Sequence, residues 1–129
     1  MIKKLASASH WEERYRLIIQ FSKQLPRPTE QDLNQMHSIS GCEAKLWFGF
    51  NQQDSGVFLF QAYSEARIIN GLLWILLQEI NGKTAQQLAN FNLIHYFSDL
   101  GITQRLSTTR LNGLKQIETI IQNLVKKQH

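Results

Sequence analysis

The stretch from Ala44 to Ala62, AKLWFGFNQQDSGVFLFQA, decides the fold. From position 44 to 50, apolar side chains alternate with other residues, a period of two that is typical of a strand with one buried face. Turn-forming residues occupy positions 51–56, and a β-rich run resumes at Val57. The stretch therefore predicts an antiparallel hairpin, which needs helices or a third strand to cover it. The predicted buried face of the first strand consists of Ala44, Leu46, Phe48 and Phe50.

One helix is predicted before the hairpin, over residues 9–24. Ser9 and Glu12 have the spacing of a capping box, and apolar residues then recur at helical spacing. The two prolines that follow end this helix, and residues 29–34 leave room only for a short helical turn. We expect residues 35–38 to form a loop that leads towards the hairpin.

The residues after the hairpin predict several helices. A helix capped by Ser64 and continuing to Ile80 is apolar nearly all round, which indicates a central, buried helix. Asn81 and Gly82 supply its stop signal. The other predicted helices are a short one from Thr84 to Leu88, a segment from Ile94 to Leu100 that ends at Gly101, and a last amphipathic helix capped by Ser107.

This order of elements predicts an α+β fold, in which a small antiparallel sheet packs against helices on one side. The 129 residues fit a single domain, and 43% apolar residues are enough for one core. No secretory signal opens the chain, and the longest apolar stretch, 71–77, is far shorter than the roughly 20 residues of a membrane span. We therefore expect a cytoplasmic protein that does not bind a membrane.

The charge of the chain is mildly basic, with a formal value of +4. Its basic residues are scattered and form no stripe that could follow a phosphate backbone, so nucleic-acid binding is not expected. An ordinary solvated surface explains this small excess of basic over acidic residues. A docking surface for an acidic protein partner stays open as an alternative.

Cys42 is the only cysteine in the sequence. One sulfur cannot close an internal disulfide or supply a thiolate zinc cluster, so any chemistry must use a single thiol. From spacing alone, a small buried hydrophobic residue is modestly favoured over a reactive group. Gly41 argues for reactivity because it permits unusual backbone angles or a close approach. The neighbouring charges of Glu43 and Lys45 have opposite effects on the pKa of a thiol and do not decide the question.

Other chemistry has weaker support in the sequence. His37 is the histidine nearest to Cys42 along the chain, but no recognisable residue orients its ring, so a thiol hydrolase is remote. No spacing typical of a zinc site is present, and the glycines form no phosphate-binding loop. Without a base, a metal or a cofactor signature, Cys42 is interpreted as a carrier.

Seven segments, in this order, cover nearly the whole chain: WEERY (11–15), QLP (24–26), ISGCE (39–43), LWFGF (46–50), SEARIINGLL (64–73), GKTA (82–85) and LSTTRLNGL (106–114). Together they resemble the SufE/CsdE family of sulfur-acceptor proteins, which accompany cysteine desulfurases. The Gly-Cys-Glu variant at 41–43 and the segment 82–85 look closer to the CsdE branch.

The resemblance implies a single SufE-like domain over residues 1–129, with the α+β sandwich shared by SufE and the IscU-type iron–sulfur scaffold proteins. It implies that Cys42 accepts persulfide sulfur from a SufS/CsdA-like desulfurase, stimulates that enzyme and passes the sulfur to iron–sulfur cluster assembly or a related pathway. Pyridoxal phosphate belongs to the partner, and no cofactor is expected on this chain, which is not a complete enzyme alone. By position, the resemblance assigns support of the cysteine loop or the partner surface to Gly41, Glu43, Glu65 and Arg110. Met36, Ile39 and Trp47 are expected neighbours of the cysteine.

A second hypothesis stays open beside the sulfur carrier. The chain is then a non-catalytic interaction module that docks on a desulfurase, or on a tRNA-modifying dehydratase that proteins of the CsdE type bring in, without carrying sulfur. Cys42 distinguishes the two hypotheses because only the carrier needs its thiol.

Overall fold

A computed structural model describes residues 2–39 and 44–127. Its α-helices and strands are α1 (Ile2–Ser7), α2 (Trp11–Ser22), α3 (Glu30–Gln35), β1 (His37–Ile39), β2 (Leu46–Gln52), β3 (Val57–Ser64), α4 (Arg67–Ile80), β4 (Lys83–Thr84), α5 (Ala85–Leu88), α6 (Leu93–Asp99) and α7 (Thr108–Lys126), and a 3-10 helix (Thr103–Arg105) precedes α7. This confirms the predicted α+β class, with an antiparallel sheet packed against helices.

The sheet is an antiparallel meander in the order β1-β2-β3-β4. The predicted hairpin is confirmed: β2 pairs with β3 from Leu46 opposite Ser64 to Gln52 opposite Phe58. Gly56 closes the turn with a φ of 93°, in the left-handed region that glycine adopts at no steric cost.

The prediction of a loop over residues 35–38 was wrong. The last residues of that segment belong to β1, in which His37 pairs with Phe48 and Ile39 pairs with Leu46. A strand of three residues is too short to show a period of two, and its pairing partner is not visible from local sequence. The sheet therefore has two strands more than predicted, with β1 at the edge beside β2 and β4 at the edge beside β3.

The core lies between one face of the sheet and the central helix. Leu46, Phe48, Phe58 and Phe60 are buried on this inner face, and α4 packs against both β3 and α2. The prediction of a central, buried α4 is confirmed, since buried residues occur around most of its circumference. Phe50 shares the inner face by alternation but is 43% exposed, because it lies near the hairpin end of β2, where α7 covers it only in part.

Helices α2 and α4 are in backbone contact at Gly71. A Cβ atom at this position would overlap the backbone carbonyl oxygen of Ile18 and would lie 2.5 Å from Ile18 Cγ2. Glycine within a helix costs roughly 0.5–1 kcal/mol relative to alanine, so its presence here needs a packing reason. The absence of a side chain allows the two helix backbones to touch.

Two features at the amino-terminal end differ from the sequence-based predictions. The predicted capping box at Ser9 is wrong, because α2 begins at Trp11 with His10 as its N-cap and no side-chain cap bond. Glu12 is therefore one position too early to serve in a capping box. The six-residue α1, which packs through the fully buried Leu5, is too short to show a helical period in the sequence.

Side-chain caps occur at the starts of later helices. Thr29 and Thr84 each form a capping box, with Asp32 and Gln87 respectively, at α3 and α5. The predicted cap at Ser107 is confirmed, since its hydroxyl accepts the backbone N–H of Arg110 at 3.2 Å.

The prediction that all helices lie on one side of the sheet holds for the core helices but not for α3. Met36, directly after α3, packs on the opposite, outer face at Gly49, where a Cβ atom would lie 2.8 Å from Met36 Cγ. Asp32 and Gln35 of α3 line a groove of about 590 Å³ on this face. The short helical turn predicted for residues 29–34 corresponds to α3, but the side of the sheet on which it lies could not be predicted, because two prolines separate it from α2.

Tyr96 connects α6 with α4. Its hydroxyl donates a hydrogen bond of 3.0 Å to the carbonyl oxygen of Ile75. Burial, together with a smaller contribution from the negative charge of Glu79, raises the pKa of Tyr96 from its ordinary value of 10.0 to about 12.

Replacing Gly71 by alanine tests the α2–α4 contact. We expect Gly71→Ala to lower the free energy of unfolding by about 3 kcal/mol, the upper part of the usual range for overpacking, despite the better helix propensity of alanine. Urea unfolding followed by circular dichroism measures the change. Gln78→Ala, at an exposed position of the same helix, is the matched control. Equal stability of the two variants would contradict the close contact.

The raised pKa of Tyr96 predicts a pH dependence of stability. In the unfolded chain this tyrosine ionises near pH 10, whereas in the folded state it keeps its proton up to about pH 12. Its contribution to the free energy of unfolding is therefore complete below pH 10 and is lost as the pH rises towards 12. Urea unfolding between these values should give a steeper fall in stability for the wild type than for Tyr96→Phe. Tyr15→Phe, at an exposed position, should behave like the wild type. Parallel pH profiles for wild type and Tyr96→Phe would refute the prediction.

Candidate functional site

The connection between β1 and β2 contains the single cysteine of the sequence. Cys42 lies with Gly41 and Glu43 in the segment 40–43, outside the described residues, so their predicted roles stay predictions. The strand residues on either side of the connection, Ile39 and Leu46, pair with each other and are both buried. The chain thus leaves and re-enters the sheet at two fixed, adjacent points.

Hydrogen bonds from the junction between β3 and α4 fix the backbone just after the segment 40–43. The carbonyl oxygen of Lys45 accepts two hydrogen bonds, one from the hydroxyl of Ser64 at 2.8 Å and one from the backbone N–H of Glu65 at 3.2 Å. Ser64 is completely buried, so its hydroxyl needs a hydrogen-bond partner, and Lys45 supplies it. Lys45 is fixed through its backbone, while its side chain is exposed.

The prediction that Ser64 caps α4 was wrong, because the helix begins two residues later than expected. The N-cap of α4 is Ala66, which has no side-chain cap bond. The Ser64 hydroxyl does accept the N–H of Ala66 at 3.1 Å, but it donates its own proton to Lys45. Because a serine hydroxyl can donate and accept at once, Ser64 joins α4 to the chain that leads out of the connection.

Asn70 holds the backbone of Ser64 in place. Its side-chain oxygen accepts the Ser64 N–H at 2.7 Å, and its side-chain nitrogen donates to the Ser64 carbonyl oxygen at 2.8 Å. The amide thus substitutes for a neighbouring strand, since β4 pairs with only Val57 and Phe58. The sequence reasoning missed this role, although the polar Asn70 in a strongly apolar helix was a signal for it.

The structure places the two remaining predicted site residues on different elements. Glu65 is exposed and lies at the β3–α4 junction, where its backbone bond to Lys45 brings it beside the connection. Arg110 is half-buried in the first turn of α7. The functional roles of both residues stay predictions.

The three expected neighbours of the cysteine lie in different surroundings. Ile39 is part of the hydrophobic core, and Met36 packs on Gly49 on the outer face. Trp47 is half-buried and stacks on Tyr63 across the β2–β3 pair, with ring centroids 6.3 Å apart and planes 26° from parallel. The sequence pattern did not predict this aromatic pair, because it depends on the register of the two strands.

His37 lies in β1, where its exposed ring stacks on Phe50 with centroids 6.2 Å apart. Within residues 2–39 and 44–127, no group of three or more His, Cys, Asp and Glu side chains is arranged to hold a metal ion. None of the helices in these ranges has the length and hydropathy needed to cross a membrane.

Removing the Asn70 amide tests its role beside the connection. We expect Asn70→Ala to lower the free energy of unfolding by about 1–3 kcal/mol, because the N–H and C=O of the buried Ser64 lose their partners. Thermal and urea unfolding measure the loss. Asn112→Ala is the matched control, since it makes the same exchange at an exposed helical position. Similar stability of both variants would show that the Ser64 backbone does not depend on Asn70.

Comparison with known proteins places the chain among relatives of similar length. The SufE family model, described as an Fe-S metabolism associated domain, matches residues 1–125. An uncharacterized SufE-like protein of Haemophilus influenzae is 55% identical over 124 residues, which cover 96% of this chain and 98% of that protein. Sulfur acceptor protein CsdE of Escherichia coli is 36% identical over 116 residues, 90% of this chain and 79% of that protein.

A solved structure shows the same fold. The solution structure of a hypothetical protein from Thermus thermophilus superimposes with a TM-score of 0.77, covering 98% of this chain and 90% of that chain. Its sequence identity is 14%, so the likeness concerns the fold alone. The family model and the two curated relatives settle the classification: the chain belongs to the SufE family.

Proposed function

We propose that this protein accepts sulfur from a cysteine desulfurase on Cys42 and thereby stimulates the enzyme. The observation that carries the proposal is the position of the only cysteine, in the β1–β2 connection of a SufE-family chain. The E. coli relative, which is named a sulfur acceptor protein, supports it. Any thiol chemistry of this chain must use Cys42, because the sequence contains no second sulfhydryl group.

The proposed step is a thiol–persulfide exchange. The Cys42 thiolate attacks the terminal sulfur of a cysteine persulfide on the desulfurase, and a bond forms between Cys42 Sγ and that sulfur. The bond between the terminal sulfur and the partner's cysteine breaks, and its electron pair leaves with the partner as a thiolate. No external oxidant or reductant is consumed. The persulfide has moved from one protein to the other.

The fixed residues around the connection support such a transfer. Lys45 is held by Ser64 and Glu65, and Ile39 pairs with Leu46, so both ends of the segment 40–43 are attached to the folded core. Fixed flanking residues offer a desulfurase a preformed surface beside the proposed acceptor, which lowers the ordering cost of binding.

The partner and the destination of the sulfur are further parts of the proposal. Pyridoxal phosphate acts on the desulfurase, which removes sulfur from free cysteine, and this chain contributes a thiol without a cofactor. We propose that the sulfur then enters iron–sulfur cluster assembly, which agrees with the description of the family, or a pathway served by a tRNA-modifying dehydratase. A reducing cytoplasm keeps Cys42 available as a thiol.

Mass spectrometry tests the acceptor role. We expect incubation with a cysteine desulfurase and cysteine, without reductant, to add one or more sulfur atoms to the wild-type chain, and a reductant to remove them. Cys42→Ser should gain no sulfur and should not stimulate the enzyme, since a serine hydroxyl cannot form a persulfide. Peptide mapping should locate the added sulfur on Cys42.

A variant with a relocated thiol is the control for this experiment. Ser55→Cys in the Cys42→Ser background keeps a single cysteine but moves it to the exposed turn at the other end of the β2–β3 hairpin. It should not restore stimulation. Stimulation by Cys42→Ser alone would refute the carrier and favour the interaction module, because docking without sulfur transfer does not need the thiol.

A further inference from the structure

Two cations and two aromatic rings are in contact on the outer face of the sheet. Arg27 Cζ lies 5.8 Å from the centroid of the Tyr63 ring, Tyr63 stacks on Trp47, and Lys45 Nζ lies 5.8 Å from the centroid of the Trp47 ring. These distances are within the range of cation–π attraction. We call Arg27, Tyr63, Trp47 and Lys45 the cation–aromatic row.

The row lies beside the proposed acceptor segment. Lys45 is three residues after Cys42 along the chain, and its carbonyl oxygen is the acceptor that fixes this end of the connection. Trp47 and Tyr63 face each other at the same end of the β2–β3 pair. A protein that reaches Cys42 from this side must therefore approach the row.

The cations of the row are exposed, and they contact rings rather than carboxylates. Within residues 2–39 and 44–127, neither Lys45 nor Arg27 forms an ion pair within 4.0 Å. Glu65, at the β3–α4 junction, is joined to Lys45 through backbone atoms. The surface beside the connection therefore presents two positive charges that no described carboxylate neutralises, on a chain whose formal charge is +4.

We propose that the cation–aromatic row is the docking surface for a carboxylate-bearing patch of the cysteine desulfurase. This inference rests on the proposed function and assigns the partner surface to specific residues. Tryptophan, tyrosine and arginine are the residues most enriched among those that dominate binding energy at interfaces. Charged residues at the rim accelerate encounter with an oppositely charged partner.

Cationic residues beside aromatic rings can also bind single-stranded RNA, but this arrangement favours a protein. Bases bind such surfaces by stacking on open aromatic faces. Here each of the cross-strand neighbours Trp47 and Tyr63 has a cation over one ring face, which reduces the aromatic surface that is open to a base. Carboxylates need only the charges of Lys45 and Arg27, which remain exposed.

Charge reversal tests the docking surface. The dissociation constant of the desulfurase and this chain is measured by titration calorimetry, and the association rate by stopped-flow fluorescence, at two salt concentrations. We expect Arg27→Glu combined with Lys45→Glu to weaken binding about tenfold or more at low salt, mainly through slower association. Raising the salt should reduce the difference, because it screens the charges.

The matched control reverses two positive charges elsewhere. Lys23→Glu combined with Lys115→Glu changes the net charge by the same amount at exposed positions, after α2 and on α7, and should alter binding much less. Lys45→Arg combined with Arg27→Lys keeps both charges and should bind nearly as the wild type does. Circular dichroism and thermal unfolding establish that all variants are folded.

Several outcomes would overturn the assignment. If Arg27→Glu combined with Lys45→Glu bound the desulfurase as tightly as the wild type does, the row would be excluded as the docking surface. The same conclusion would follow if Lys23→Glu combined with Lys115→Glu weakened binding equally, or if the wild type bound no desulfurase. Binding of a single-stranded RNA oligonucleotide, lost on row reversal while desulfurase binding persists, would reassign the surface to nucleic acid. The sulfur-transfer experiment is independent: charge-sensitive docking without a persulfide on Cys42 would refute the proposed function and leave the docking surface in place.

Discussion

The contact between Gly71 and Ile18 fixes the position of α4, on which the rest of the structure depends. Because no side chain separates the two backbones, α4 can sit close against α2 on one side and β3 on another. Asn70 directly precedes this contact and binds the backbone of Ser64, and Ser64 in turn binds Lys45. A steric constraint in the core therefore determines, through a few hydrogen bonds, where the chain leaves the cysteine-containing connection.

The parts of the fold that could be predicted from the sequence are those with strong local signals. The β2–β3 hairpin has a period of two and a glycine that adopts a positive φ, and α4 has an apolar surface nearly all round. The strands that were missed, β1 and β4, contain three and two residues. Their existence depends on pairing with distant residues, and so few positions cannot display a periodicity.

The chemistry of the candidate site could be proposed from the sequence, but its construction could not. A single cysteine limits thiol chemistry to one residue whatever the fold, so Cys42 could be named from composition and resemblance. The bonds that Ser64 and Asn70 make could not, because both depend on β3 ending beside Lys45. The cation–aromatic row is also a product of register, since Trp47 and Tyr63 meet only when β2 and β3 pair as observed.

Lys45 combines two tasks through different atoms. Its carbonyl oxygen accepts two hydrogen bonds from the β3–α4 junction, whereas its ammonium group lies over Trp47 at the surface. A change of side chain leaves the carbonyl in place, so the surface charge can vary without removing the bonds that hold the connection. The core can therefore hold Ile39 and Lys45, on either side of the connection, while the side chains of Lys45 and Arg27 adapt the neighbouring surface to the carboxylates of the proposed partner.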